Sequence, residues 1–132
     1  MRLQNKAAII TGGGQGIGRA IALAFAAEGA SVVLAARTLA HLEATADEIK
    51  AQGGKAKAIQ TDIMDENQIE QMVAQTVKTY GKLDILVNNS GISGPTARVV
   101  DMDLAKWNEV LAIDLTGSML CAKHALKQMI PQ

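Results

Sequence analysis

Short apolar runs alternate along the chain with longer stretches in which apolar residues recur every three or four positions. The first run is Ala7-Ala8-Ile9-Ile10. Behind the glycine cluster Gly12 to Gly18, apolar residues return at Ile17, Ile21, Ala24 and Phe25, and Glu28-Gly29 stops that helix. Val32-Val33-Leu34-Ala35-Ala36 is apolar at every position, as a strand covered on both faces requires. Thr38 stands where a cap belongs for a helix carrying Leu39, Leu42, Ala46 and Ile49, which ends at Gly53-Gly54. Ala56 to Thr61 reads as a third strand leading into Asp62. Asp65 with Gln68 resembles a capping box for a helix that buries Ile69, Met72, Val73 and Val77 and closes at Tyr80-Gly81. Asp84-Ile85-Leu86-Val87 is the fourth strand, running into Asn88-Asn89-Ser90-Gly91. Beyond a loop with glycine and proline, Asp103 caps a last helix, with Met102 and Trp107 spaced as a hydrophobic staple. That helix extends to about Gln128, with Gly117 as its weak point.

Strands alternating with helices point to βαβ units and a parallel sheet. Four βα units with right-handed crossovers give an α/β, Rossmann-like, doubly wound sheet with strand order 3-2-1-4. Its ligand crevice would lie at the carboxyl ends of the strands. Residues 1–132 are expected to form one domain, because a chain of 132 residues falls within the ordinary size of one.

Composition removes several alternatives. With 13 Lys plus Arg against 13 Asp plus Glu, the net charge is zero, which argues against nucleic acid and anionic membrane as partners. The aromatic residues are Phe25, Tyr80 and Trp107, too few for base stacking. The polar start Met1 to Lys6 is unlike a signal peptide, and no apolar run approaches the roughly 18 residues of a membrane span. The lone Cys121 fits a reducing compartment, so a cytoplasmic protein is expected. Cys121 and His124 are spaced to share a helix face, but zinc wants three or four ligands, and no metal is expected. His41, on the second helix, is expected to be solvated.

The chemistry concentrates in Thr11-Gly12-Gly13-Gly14-Gln15-Gly16-Ile17-Gly18, between the first strand and the first helix. Glycine there permits φ > 0 and close approach of backbone to a phosphate, and the helix adds free N–H groups and the positive end of its dipole. The spacing is G-x-x-x-G-x-G, which differs from the G-x-G-x-x-G dinucleotide fingerprint. Gly13 and Gly18 have P-loop spacing, but Arg19-Ala20 replaces Lys-Ser/Thr, which leaves a mononucleotide P-loop as a damaged alternative. Glycines phased in this way exceed what a turn needs and read as a pyrophosphate cradle.

In these motifs the chain resembles the short-chain dehydrogenases/reductases of the classical type. Thr11-Gly-x-x-x-Gly16-Ile-Gly18 is similar to the family's cofactor loop, and Asn88-Asn89-Ser90-Gly91 to its Asn-Asn-Ala-Gly element after the fourth strand. Asp62, followed by Ile63, is similar to the family's aspartate beside the adenine ring. Trp107 and Asp114, then Leu115-Thr116-Gly117, resemble the stretch that bears the active-site asparagine. The resemblance implies an oxidoreductase that reduces carbonyls or oxidises alcohols by hydride transfer from or to NAD(P). It implies cofactor contacts from Gly12, Gly14, Gln15, Gly16, Ile17, Gly18, Asp62, Ile63, Asn88, Ser90 and Gly91. Self-association is also implied, since relatives commonly assemble through helices that include the fourth.

The second strand speaks to which dinucleotide. An acidic residue about 20 positions past the glycine motif usually holds the ribose 2′-hydroxyl, and Ala35-Ala36-Arg37-Thr38 stands there instead. A carboxylate would repel a 2′-phosphate, whereas the Arg37 guanidinium can bind one. NADP(H) is therefore expected over NAD(H), although Gln15 stands where many NADP-using relatives carry a second basic residue.

The family's catalytic serine and Tyr-x-x-x-Lys unit have no counterpart in residues 1–132. Tyr80 is followed four residues later by Asp84, and Ser118 lies inside the last helix. Asp114 stands at the family's asparagine, where its backbone carbonyl can serve but a buried extra charge would be costly. The chain is thus expected to be the cofactor-binding half of such an enzyme, lacking the later strands. The alternative is a catalytically inactive nucleotide-binding or regulatory module.

Overall fold

The computed structural model describes residues 1–132. Strands β1 (Ala7–Thr11), β2 (Ser31–Ala36), β3 (Lys55–Gln60) and β4 (Ile85–Val87) form one parallel sheet in the order β3-β2-β1-β4. In register, Ile9 lies opposite Val33 on one side and Leu86 on the other. Helices α1 (Gly16–Ala27), α2 (Leu39–Ala51) and α3 (Glu66–Tyr80) link successive strands, and α4 (Leu104–Leu111) and α5 (Ser118–Met129) follow β4. No helix is long and apolar enough to cross a membrane.

The period of two along each strand sorts its residues between two cores. Ala8, Ile10, Val32 and Leu34 pack with Ala22 of α1 and Leu42, Ala46 and Ile49 of α2. Ile9, Val33, Ala35 and Ile59 pack with Ile69, Met72 and Val73 of α3 and with Cys121 and Ala125 of α5. Every β1 position is buried, which is why its sequence shows no polar alternation. The expected α/β doubly wound sheet with strand order 3-2-1-4 is the fold observed.

The capping positions differ in how they are used. Asp65 Oδ1 accepts from the N–H groups of Asn67 (3.0 Å) and Gln68 (3.4 Å), as an N-cap does. The Gln68 side chain does not close the box on Asp65's own N–H; its Oε1 accepts from the Asp62 N–H at 2.8 Å instead. Asp103 caps α4 through the Ala105 N–H at 3.0 Å. Thr38 occupies the cap position of α2, but its hydroxyl makes no capping hydrogen bond. Asp84 falls outside β4: its carboxylate accepts from the Ala7 N–H at 2.9 Å and pairs with Lys82 at 3.2 Å.

The last helix is not uniform. A π-helical turn, Ala112–Gly117, joins α4 to α5, and a short 3₁₀ turn, Val99–Asp101, precedes them. Gly117 closes that π turn, so the irregularity falls where the glycine stands. A Cβ there would stand 2.8 Å from Ile63 Cδ1, so its bareness lets the helix pass against the end of β3.

Candidate functional site

The carboxyl ends of the strands open into a crevice of about 500 Å³. Four successive strand ends and Ile113 line it: Gly12, Gly14, Gln15 and Ile17 after β1; Ala36 at the end of β2 with Arg37, Thr38 and His41 beyond it; Thr61, Asp62 and Ile63 after β3; and Asn89 to Ile92 after β4.

Thr11 and Asn89 fasten the glycine loop. The buried Thr11 hydroxyl donates to the Val87 carbonyl at 3.3 Å and accepts from the N–H groups of Asn89 and Ser90, each at 3.0 Å. Asn89 Nδ2 donates back to the carbonyls of Thr11 (3.0 Å) and Gly12 (3.2 Å). Two glycines of the motif have different tasks. A Cβ on Gly18 would stand 2.1 Å from the Gly12 carbonyl oxygen and 2.5 Å from Asn89 Nδ2, so Gly18 lets the loop close on α1. Gly16 has a φ of +53° and nothing within 4 Å of where its Cβ would be. Its space is open, in the loop whose neighbouring residues Gln15 and Ile17 line the crevice.

The start of α1 has no side-chain cap and no acidic residue in its first turn. Its first N–H groups and the positive end of its dipole are therefore free to meet an anion. A pyrophosphate fits that donor set, and the open Cβ space at Gly16 is the volume a larger side chain would take from it.

Arg37 is exposed at the end of β2 and takes part in none of the ion pairs of the protein, and its backbone carbonyl accepts from the Gln60 amide at 2.9 Å. Asp62 Oδ1 accepts from the Met64 N–H at 2.9 Å, which holds the turn after β3. Asn88 does not face the crevice. Its Nδ2 donates to the Ser118 carbonyl at 3.2 Å, a helix contact, and Asn89 takes the lining position. Asp114 is exposed, contrary to the buried charge the sequence suggested, and its Oδ1 accepts from the Ile92 N–H at 2.8 Å. Its carbonyl accepts from the Ser118 hydroxyl at 3.1 Å. Asp114 thus anchors the wall that follows β4.

His41 was expected to be solvated and is exposed, yet it lines the crevice and meets the side chain of Gln15. Its position in the first turn of α2 was the available signal. Cys121 and His124 share a buried face of α5 but meet different partners. His124 Nε2 lies 2.9 Å from Glu66 Oε1, which also accepts from Lys123 Nζ at 2.6 Å. The Lys123 hydrogen bond, followed by that of His124, holds the Glu66 carboxyl down at about 2. Burial pushes the Cys121 thiol up to about 11, so it is a protonated core side chain.

Comparison with known proteins places this architecture. The sequence profile of the short chain dehydrogenase family matches residues 6–132. An uncharacterised oxidoreductase of Bacillus subtilis is 36% identical over 129 residues, which span 98% of this chain and 47% of that protein. A crystal structure of a short-chain type dehydrogenase/reductase from Mycobacterium marinum superposes with a TM-score of 0.95 at 38% identity, covering 98% of this chain and 52% of the other. A crystal structure of NAD⁺-bound xylitol dehydrogenase superposes with a TM-score of 0.97 at 32% identity, covering all of this chain and 51% of the other. The chain belongs to the short-chain dehydrogenase family and corresponds to its N-terminal half. It spans about half the length of the relatives it matches. Membership implies a nicotinamide dinucleotide as cofactor.

Proposed function

We propose that residues 1–132 are the cofactor-binding half of an oxidoreductase that prefers NADP(H) and interconverts a small carbonyl compound and its alcohol. The observation that carries the preference is Arg37: a guanidinium free of any ion pair at the crevice rim, where a 2′-hydroxyl-reading enzyme carries a carboxylate. Arg37 would hold the 2′-phosphate. The loop Gly12 to Gly18 and the start of α1 would hold the pyrophosphate, and Asp62 and Ile63 would border the adenine. Ser90 and Gly91 would flank the nicotinamide half, on a wall that Asp114 fixes through Ile92.

The cofactor supplies hydride transfer, and the protein must supply the proton. Within residues 1–132 no group is placed to do so. Tyr80, the last residue of α3, packs against the core, and burial raises the pKa of its hydroxyl. Residues 1–132 are therefore read as binding the dinucleotide without turning over substrate. The open outer edge of β4, which pairs only with β1, would support self-association.

Calorimetry tests the preference. A hydrogen bond to a charged group contributes about 1.5–3 kcal/mol, or roughly ten- to 150-fold in affinity. Arg37→Ala should weaken NADPH by that factor and leave NADH nearly unchanged; equal losses for both would remove Arg37 from the 2′-phosphate.

A further inference from the structure

We propose that His41 is a second residue reading the ribose 2′-substituent, supplying from α2 the basic group that the glycine loop lacks at Gln15. The inference rests on the NADP(H) reading above and assigns a side chain that reading does not use.

Two cations would normally be wanted around a phosphate dianion, and the crevice offers Arg37 as its only arginine or lysine. Gln15, in the loop, is neutral. The fold brings a different nitrogen base to the same place. The His41 ring meets the Gln15 side-chain amide, and both line the crevice together with Arg37 and Thr38. The juxtaposition is built by the backbone. A Cβ on Gly14 would stand 2.9 Å from His41 Cβ and 3.1 Å from its carbonyl carbon, so the first turn of α2 lies directly on the glycine loop. Thr45 Oγ1 lies within hydrogen-bonding distance of the carbonyls of both Gly14 (3.3 Å) and His41 (3.2 Å), and its burial pins the two segments. His41 therefore stands on a turn packed against the phosphate cradle, in the crevice that Arg37 also lines.

Its chemistry suits the task. An imidazole donates a hydrogen bond in either charge state and carries a positive charge when protonated, so it stabilises an anion in both. Gln15 offers its amide to the ring and can hold it in the crevice. Two charged groups of neighbouring elements are already engaged: Arg19 of α1 is paired with Glu48 of α2 at 2.5 Å, and the Asp62 carboxylate accepts from the Met64 N–H. Neither competes for His41.

The test is the ratio of NADPH to NADH affinity, measured by titration calorimetry on the 132-residue chain and on His41→Ala, His41→Lys and Arg37→Ala. His41→Ala should lower the ratio roughly ten- to 150-fold, through NADPH alone, as loss of one hydrogen bond to a charged group does. His41→Lys should keep or raise the ratio, because it restores a donor and a charge, and an effect on folding alone would not be rescued in this way. Thermal unfolding of each variant checks that the exposed substitutions leave the fold in place. If the unsubstituted chain shows no preference for NADPH, the NADP(H) reading itself fails. If the preference exists and Arg37→Ala abolishes it, while His41→Ala leaves it intact, that reading stands and the assignment of His41 is overturned.

Discussion

Asn89 Nδ2 spans from the end of β4 to the carbonyls of Thr11 and Gly12, at 3.0 and 3.2 Å, and so ties the fourth strand to the glycine loop. Replacing Asn89 by Ala leaves two backbone acceptors unpaired at a part-buried site, which costs about 1–3 kcal/mol. Asn89→Asp should be worse, because a carboxylate oxygen would face both carbonyls. Asn88→Ala removes one exposed bond to Ser118 and should cost less than about 1.5 kcal/mol. Denaturant unfolding should find Asn89→Asp the most destabilised, then Asn89→Ala, and Asn88→Ala the least.

The two glycines of the motif separate folding from binding. Gly18→Ala places a Cβ 2.1 Å from a backbone oxygen, so the loop must move and stability should fall by about 1–3 kcal/mol or more. In Gly16→Val the Cβ meets no atom within 4 Å, and the positive φ is the main cost, about 1–2 kcal/mol. Gly16→Val should therefore stay folded by circular dichroism yet lose dinucleotide binding, since its side chain occupies the phosphate space. A folded Gly16→Val protein with normal affinity would remove the cradle from the glycine loop.

Glu66 links α3 to α5 and sets one part of the acid sensitivity. Its carboxyl sits at about 2 in the folded protein against an ordinary 4.5, chiefly through Lys123 and then His124. A carboxyl depressed on folding stabilises above its unfolded value, and that contribution disappears as the pH falls from 4.5 toward 2. Above pH 5 the unsubstituted chain should exceed Glu66→Gln in stability, and the margin should close on acidification. High salt should narrow the margin at neutral pH, because Glu66 and Lys123 are both nearly half exposed. Thermal melts across pH 2–7 at two salt concentrations, both within ordinary working ranges, give the comparison.

The sheet was legible because each strand carries its own signature. A run buried on both faces, such as Val32 to Ala35, has few other readings, and strand order follows from the handedness of crossovers. The site was legible where backbone conformation dictates residue type, as at Gly16. It was less so where side-chain direction decides. Asn88 and Asn89 are chemically identical, and only the alternation of the chain past β4 sends one to Ser118 and the other to the loop. His41 looked solvated because a surface helix position says nothing about the neighbouring loop, and Gly14, which allows the approach, is one glycine among several. The packing role of Gly117 was hidden because its partner, Ile63, is 54 residues away in the chain. Apart from Gly117, the π turn at Ala112–Gly117 has no sequence signal that we can name.

The most direct measurement is a map of amide chemical-shift changes when NADPH, and separately NADH, is added to the 132-residue chain. Both ligands should move the amides of Gly12 to Ile17, Asp62, Ile63, and Asn89 to Ile92. NADPH should add large shifts at Arg37, Thr38 and His41 that NADH does not produce. Shifts confined to other faces of the protein, or identical patterns at Arg37 for the two dinucleotides, would contradict a crevice that binds NADP(H) through the end of β2.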